Sequence, residues 1–139
     1  MRHLCQFIFC LASFCAASTQ AQLAVVVSPP KITSQKAVVE LVMTNGLAEK
    51  VESARAVCFL LDGHGKMVSQ STKWVIGGTK ERPALEPKTE TTFNFVITIS
   101  QSFATTNLTA KVSFTRVILE GGKLASVAKD VSVAVVSQP

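Results

Sequence analysis

The sequence is poor in the residues that carry out chemistry. Its 139 residues include two histidines, four cysteines, one tryptophan and no tyrosine. Cys5, Cys10, Cys15 and His3 all fall in an opening segment that reads as an export leader, leaving only Cys58 and His64 downstream. An exported chain with one cysteine forms no internal disulfide, so its core must hold the fold. One histidine limits any Ser-His-Asp arrangement to His64, and there is no G-x-S-x-G elbow. No C-x-x-C or H-x-x-x-H spacing supplies the four ligands of a structural zinc. The downstream methionines, Met43 and Met67, form no cluster of the kind that binds copper. The glycine pairs Gly77-Gly78 and Gly121-Gly122 open no helix and are turn residues rather than a phosphate loop. No catalytic constellation and no cofactor is expected.

Long apolar runs are also scarce. The longest uncharged, largely apolar run is Leu4 to Ala17, 14 residues that follow the basic start Met1-Arg2-His3. It falls short of the roughly 20 residues that span a bilayer. Thr19 and Ala21 fit the small-x-small pattern of a signal peptidase site, so residues 1–21 are expected to be a signal peptide cleaved after Ala21. No membrane span is expected after cleavage. Residues 22–139 then form one domain of 118 residues, with 13 basic residues against nine acids and a net charge of +4. A domain of that size buries roughly two-thirds of its unfolded surface. The lysines are dispersed without interleaved aromatics, which predicts a solvated basic surface and no nucleic-acid partner.

Period-two alternation dominates what remains. Leu23 to Val27 is a short strand stopped by Pro29-Pro30. Lys36 to Thr44 places Val39, Leu41 and Met43 on one face, and Asn45-Gly46 then reads as a tight turn. Ala54 to Leu61 is apolar on both faces apart from Arg55, which predicts a central strand with Ala56, Cys58 and Leu60 towards the core. Asp62-Gly63-His64-Gly65 turns the chain into a broken or bulged strand over Lys66 to Gln70 and Lys73 to Ile76. Gly77 to Lys88 is a long irregular loop. Thr91 to Ile99 alternates cleanly through Phe93, Phe95, Ile97 and Ile99. Leu108, Ala110, Val112 and Phe114 begin a strand that runs to Leu119, and Glu120-Gly121-Gly122-Lys123 is a hairpin turn. Val127, Val131, Val133 and Val135 complete a last strand, and residues 100–107 are expected to hold at most one helical turn. About seven strands without helical periodicity predict an all-β fold, an immunoglobulin-like antiparallel β-sandwich.

Thr44-Asn45-Gly46, Val51, Cys58-Phe59-Leu60-Leu61-Asp62, Gly65-Lys66, Leu85-Glu86-Pro87 and Phe93 together resemble the FxLYD-type bacterial domains. These are small exported immunoglobulin-like or fibronectin-like sandwiches. The likeness spans Val38 to Ile99. Cys58 stands in place of the family's Phe, Leu61 in place of its Tyr, and Lys88 in place of the Gly after Leu85-Glu86-Pro87. The resemblance implies a sandwich outside the cytoplasm and no activity.

The functional expectation is a non-enzymatic binding or scaffolding module whose partner is a protein or other envelope component. The candidate binding residues are Trp74 with Lys80, Glu81 and Arg82 of the following loop, where an exposed Trp would be an anchor. An exposed edge strand is the other route. A small periplasmic metal-handling protein using His64 with Asp62 or Met67 is the alternative. Against it, Cys58 lies in an apolar strand, and a turn with Asp62 bonded to the backbone and His64 in solvent explains the same residues.

Overall fold

The computed structural model describes residues 21–100 and 107–136. The expected signal peptide lies outside these residues except for Ala21, and so does most of the expected helical turn over residues 100–107. The fold is an all-β sandwich of two packed sheets.

The strands are β1 (Leu23–Val27), β2 (Lys31–Thr33), β3 (Lys36–Asn45), β4 (Val51–Leu61), β5 (Met67–Ile76), β6 (Glu90–Thr98), β7 (Thr109–Leu119) and β8 (Val131–Val135). A 3-10 turn at Glu120–Gly122 and a single helical turn, α1 (Val127–Asp130), lie between β7 and β8. The first sheet has β3 between β6 on one side and the short β1 and β2 on the other, with β8 added outside β1. The second sheet is β5-β4-β7.

Alternation places the core as expected. Leu23, Val25, Val27, Val39, Leu41 and Met43 from the first sheet are fully buried or nearly so, and meet Ala56, Cys58 and Leu60 from β4. Phe95, Ile97 and Ile99 point inwards too, while Phe93 is only half-buried and packs edge-on against Phe95. The chain forms an eighth strand because Lys31–Thr33 resumes pairing with β3 after the proline break.

Two expectations are corrected and one left open is resolved. Asn45-Gly46 is not a hairpin turn, and neither residue has positive φ. It is the point where the chain leaves one sheet for the other, from β3 to β4. Asn45 is completely buried, and its side-chain amide nitrogen donates to the carbonyls of Glu49 and Leu85, each at 3.0 Å. Its side-chain oxygen accepts from the Leu47 N–H at 2.9 Å. A short Asn at such a corner satisfies backbone groups that no ladder reaches. Second, of the two readings for Lys66 to Gln70 and Lys73 to Ile76, broken or bulged, the bulged one holds: they form one strand, β5 (Met67–Ile76), with bulges at each end of its pairing with β4. Third, Val127 is not in the last strand. It lies in α1, where Asp130 accepts from the Ser126 N–H at 2.8 Å, and β8 starts only at Val131.

Candidate functional site

The second sheet presents the site. Arg55 is the one charge in the apolar β4 run, and it points out of the sheet. Both neighbours of β4 carry an extra residue at this level. On β5 the pairing shifts between Ala54 and Arg55, so that Val75 is passed over and Trp74 sits opposite Arg55. On β7 it shifts between Arg55 and Ala56, so that Thr115 is the extra residue and Arg116 sits opposite Arg55. Bulges re-aim side chains and bend the strand that carries them. Here they line up Trp74, Arg55 and Arg116 across three strands. The Arg55 guanidinium lies 5.9 Å from the Trp74 ring centroid, a cation–π distance. The Thr115 hydroxyl donates to the Arg55 carbonyl at 3.3 Å.

Arg55 and Arg116 are like charges on directly opposed positions, an unfavourable pairing unless an anion comes between them. Lys111, on the same exposed face of β7, adds a third positive charge. The nearby acids are already engaged. Glu49 pairs with Lys123 at 2.9 Å, Glu52 accepts from the Gly121 N–H, and Asp130 accepts from the Ser126 N–H. A cleft of about 470 Å³ beside this row is lined by Arg55, Thr115 and Arg116 with Val117, Leu124 and Val127.

β7 is also the outer strand of its sheet. Its far end is closed by a brief return of the chain: the Leu119 N–H donates to the Lys123 carbonyl, and the Ala125 N–H donates to the Val117 carbonyl. Below Val117 no strand pairs on that side among the described residues. A second cleft of about 210 Å³ lies at the other end, lined by Pro29, Pro30, Leu108, Thr109, Val135 and Val136.

Of the expected binding residues, Trp74 stands in the row with Arg55 and Arg116, and Lys80, Glu81 and Arg82 follow it in the loop. Trp74 is half-buried and belongs to the outer face of the second sheet. Gly78 arches over it, so closely that an added Cβ would lie 2.6 Å from the indole Cγ. Arg82 turns back onto the body of the protein. Its guanidinium donates to the Trp74 carbonyl and sits 4.5 Å from the Phe93 ring centroid. Trp74 and Arg82 are thus brought together, in a structural contact. Lys80 and Glu81 stand exposed on the loop.

The residues of the metal alternative lie on and beside the β4–β5 turn. Asp62 Oδ1 accepts from the N–H groups of His64 and Lys66, each at 2.9 Å. These bonds, that from Lys66 first, lower the Asp62 pKa. His64 is exposed on the turn, and Cys58 is buried within β4. Burial pushes the Cys58 thiol up to about 12, so it is a protonated, unreactive apolar group at neutral pH. No cluster of three or more His, Cys, Asp or Glu side chains suited to a metal occurs among the described residues.

Arg55 and Arg116 were the residues that sequence reasoning passed over. Their signal was present. Arg55 interrupts an apolar run, and Thr115-Arg116 places two polar residues in succession where β7 should alternate. No helix among the described residues is long and apolar enough to cross a membrane. No protein-family model matches the chain, and no curated protein matches it in sequence.

Proposed function

We propose that the protein is an exported, non-enzymatic β-sandwich that binds or scaffolds another molecule of the cell envelope, and that it does so along β7. The observation that carries this reading is the unpaired edge of β7, flanked by a cleft at each end and crossed at one end by the Trp74–Arg55–Arg116 row. A strand edge left open is a ready template for another chain, and natural sandwiches usually blunt it. β5 shows such blunting, since Lys73 pairs with the core residue Ala56 and sets a charge on the inward-facing side of that edge strand. Over residues 109–114, ahead of the bulge at Thr115, β7 has no proline, and its one charged side chain, Lys111, points outwards.

The leader-like opening and the FxLYD-type resemblance support a location outside the cytoplasm, where a binding module needs no cofactor. The Asp62-His64 turn serves the β4–β5 hairpin.

A photo-crosslinking amino acid placed at Ser113, on β7, and separately at Lys80, on the loop, tests the assignment in the cells that make the protein. An adduct from Ser113 and none from Lys80 is expected. An adduct from Lys80 alone moves the site to the loop. No adduct from either position refutes a binding role.

A further inference from the structure

The two sheets are not flush at the β7 side. In an immunoglobulin-type sandwich the last strand lies along the strand before it, within the same sheet. Here α1 carries the chain across to the other sheet, where β8 pairs in parallel with β1. The register places Val133 beside Val25 and Val135 beside Val27, so these β8 valines share the inward face of their sheet. Their exposures differ sharply. Val25 and Val27 are 1% and 0% exposed, whereas Val133 and Val135 are 37% and 51% exposed. The difference follows from position: β1 lies inside its sheet between β3 and β8, whereas β8 is the edge strand, and the second sheet ends at β7. β8 therefore borders a lane beside β7 that no strand fills among the described residues, floored by valine side chains.

We propose that this lane receives an extended peptide segment of a partner protein, added as a strand to residues 109–115 of β7, in which apolar residues alternate with acidic ones. The proposal rests on the binding reading above and names its partner class. Each part of the lane selects one feature. The free β7 edge supplies main-chain donors and acceptors for a strand of about seven residues, roughly 23 Å long. Alternate side chains of that strand would face inwards onto Val133 and Val135, and must be apolar. The others would lie on the outer face beside Lys111 and Arg116, and the charge there calls for carboxylates. An acidic residue reaching Arg116 also separates it from Arg55, the like charge opposite. The cleft at Pro29, Leu108 and Val136 offers a place for one apolar end residue.

Capped nonapeptides alternating valine with glutamate, or valine with lysine, provide the probes. The glutamate peptide should bind the purified domain about tenfold more tightly than the lysine peptide at low salt, with the preference shrinking as salt rises. Hydrogen exchange should show protection of the amides of residues 109–115 on binding. Arg116→Glu removes a like-charge contact, so the variant should fold, and it should invert the preference between the two peptides. Equal binding of both peptides, or protection elsewhere, overturns the proposal. So does protection of β7 in the protein alone as its concentration rises, because that assigns the lane to a second copy. If neither peptide binds while the Ser113 crosslinker captures a partner in cells, the partner class fails and the binding reading stands.

Discussion

Asn45 is the one fully buried polar residue of the described core, and replacing it gives the sharpest test of how the two sheets are joined. Its side chain makes three hydrogen bonds, to the carbonyls of Glu49 and Leu85 and from the N–H of Leu47. The Leu85 carbonyl keeps a second partner, since the Val51 N–H also donates to it at 2.9 Å. Asn45→Ala removes all three bonds and opens a small void. At about 1 kcal/mol per bond the expected loss is about 3 kcal/mol, a large share of the 5–15 kcal/mol typical of a domain. The more searching variant is Asn45→Asp, which keeps shape and volume. The acceptor for Leu47 survives, but the Leu85 carbonyl, buried, and the Glu49 carbonyl, part-buried, now face a carboxylate with nothing to donate. Asn45→Asp should therefore cost more than Asn45→Ala at pH 7, about 5 kcal/mol. The introduced carboxyl would have a folded pKa raised above its unfolded value of about 3.9, because burial and two facing carbonyls favour the protonated form. Its share of stability is then fully present below that unfolded value and is lost as pH rises through the folded one. The measurement is urea unfolding followed by circular dichroism at pH 7 and pH 4.5 for both variants. If Asn45→Asp is as stable as Asn45→Ala at neutral pH, or gains nothing relative to it on acidification, the assigned bonding of the corner is wrong.

Four further outcomes follow from named contacts. Cys58 should resist a thiol reagent such as Ellman's in the folded protein, even at pH 9, and react at once when the domain is unfolded in urea. Gly77→Ala should destabilise more than Gly78→Ala. Both glycines have positive φ, but a Cβ at Gly77 would strike the Glu52 carbonyl oxygen at 1.9 Å, a backbone atom, whereas one at Gly78 meets the Trp74 side chain. Gly121→Ala, with open space around it, should carry only the conformational cost of about 1 kcal/mol; comparing the three by thermal melting separates clash from φ. Asp62→Ala should destabilise the β4–β5 turn at neutral pH and have little effect well below pH 4. The Asp62 pKa is lowered in the fold, so its contribution is present above the unfolded value and lost as pH falls through the folded one. Adding zinc or copper in large excess should leave the melting temperature unchanged, because Asp62 is already bonded to the turn and His64 stands apart from Cys58.

Much of this fold is written in alternation, and alternation reports faces. Val39, Leu41 and Met43, like Ala56, Cys58 and Leu60, declare which side of their strand is buried because a slip of one residue would expose the whole set. What alternation does not report is which strand lies next to which. Asn45-Gly46 has the chemistry of a tight turn, yet Asn45 closes a crossover between sheets, because its amide can satisfy two carbonyls brought near by Leu85, 40 residues away. The last strand shows the same gap most clearly. Val131, Val133 and Val135 state that one face turns inwards, and it does, but their partner is set by α1. The clue was the spacing of Val127 and Val131, four residues apart with Lys129 between, which suits a helical turn and breaks a strand. That one turn carries the chain away from β7 and across to β1. Its consequence is that the inward face of β8 is satisfied on one side only. A valine face at 37–51% exposure beside an unpaired strand edge costs stability in isolation, so the arrangement is one that a partner strand would complete. The basic row at Arg55 and Arg116 points the same way. Two bulges place those guanidinium groups opposite each other, and neither shared ladder hydrogen bonds nor core packing requires both side chains to be charged.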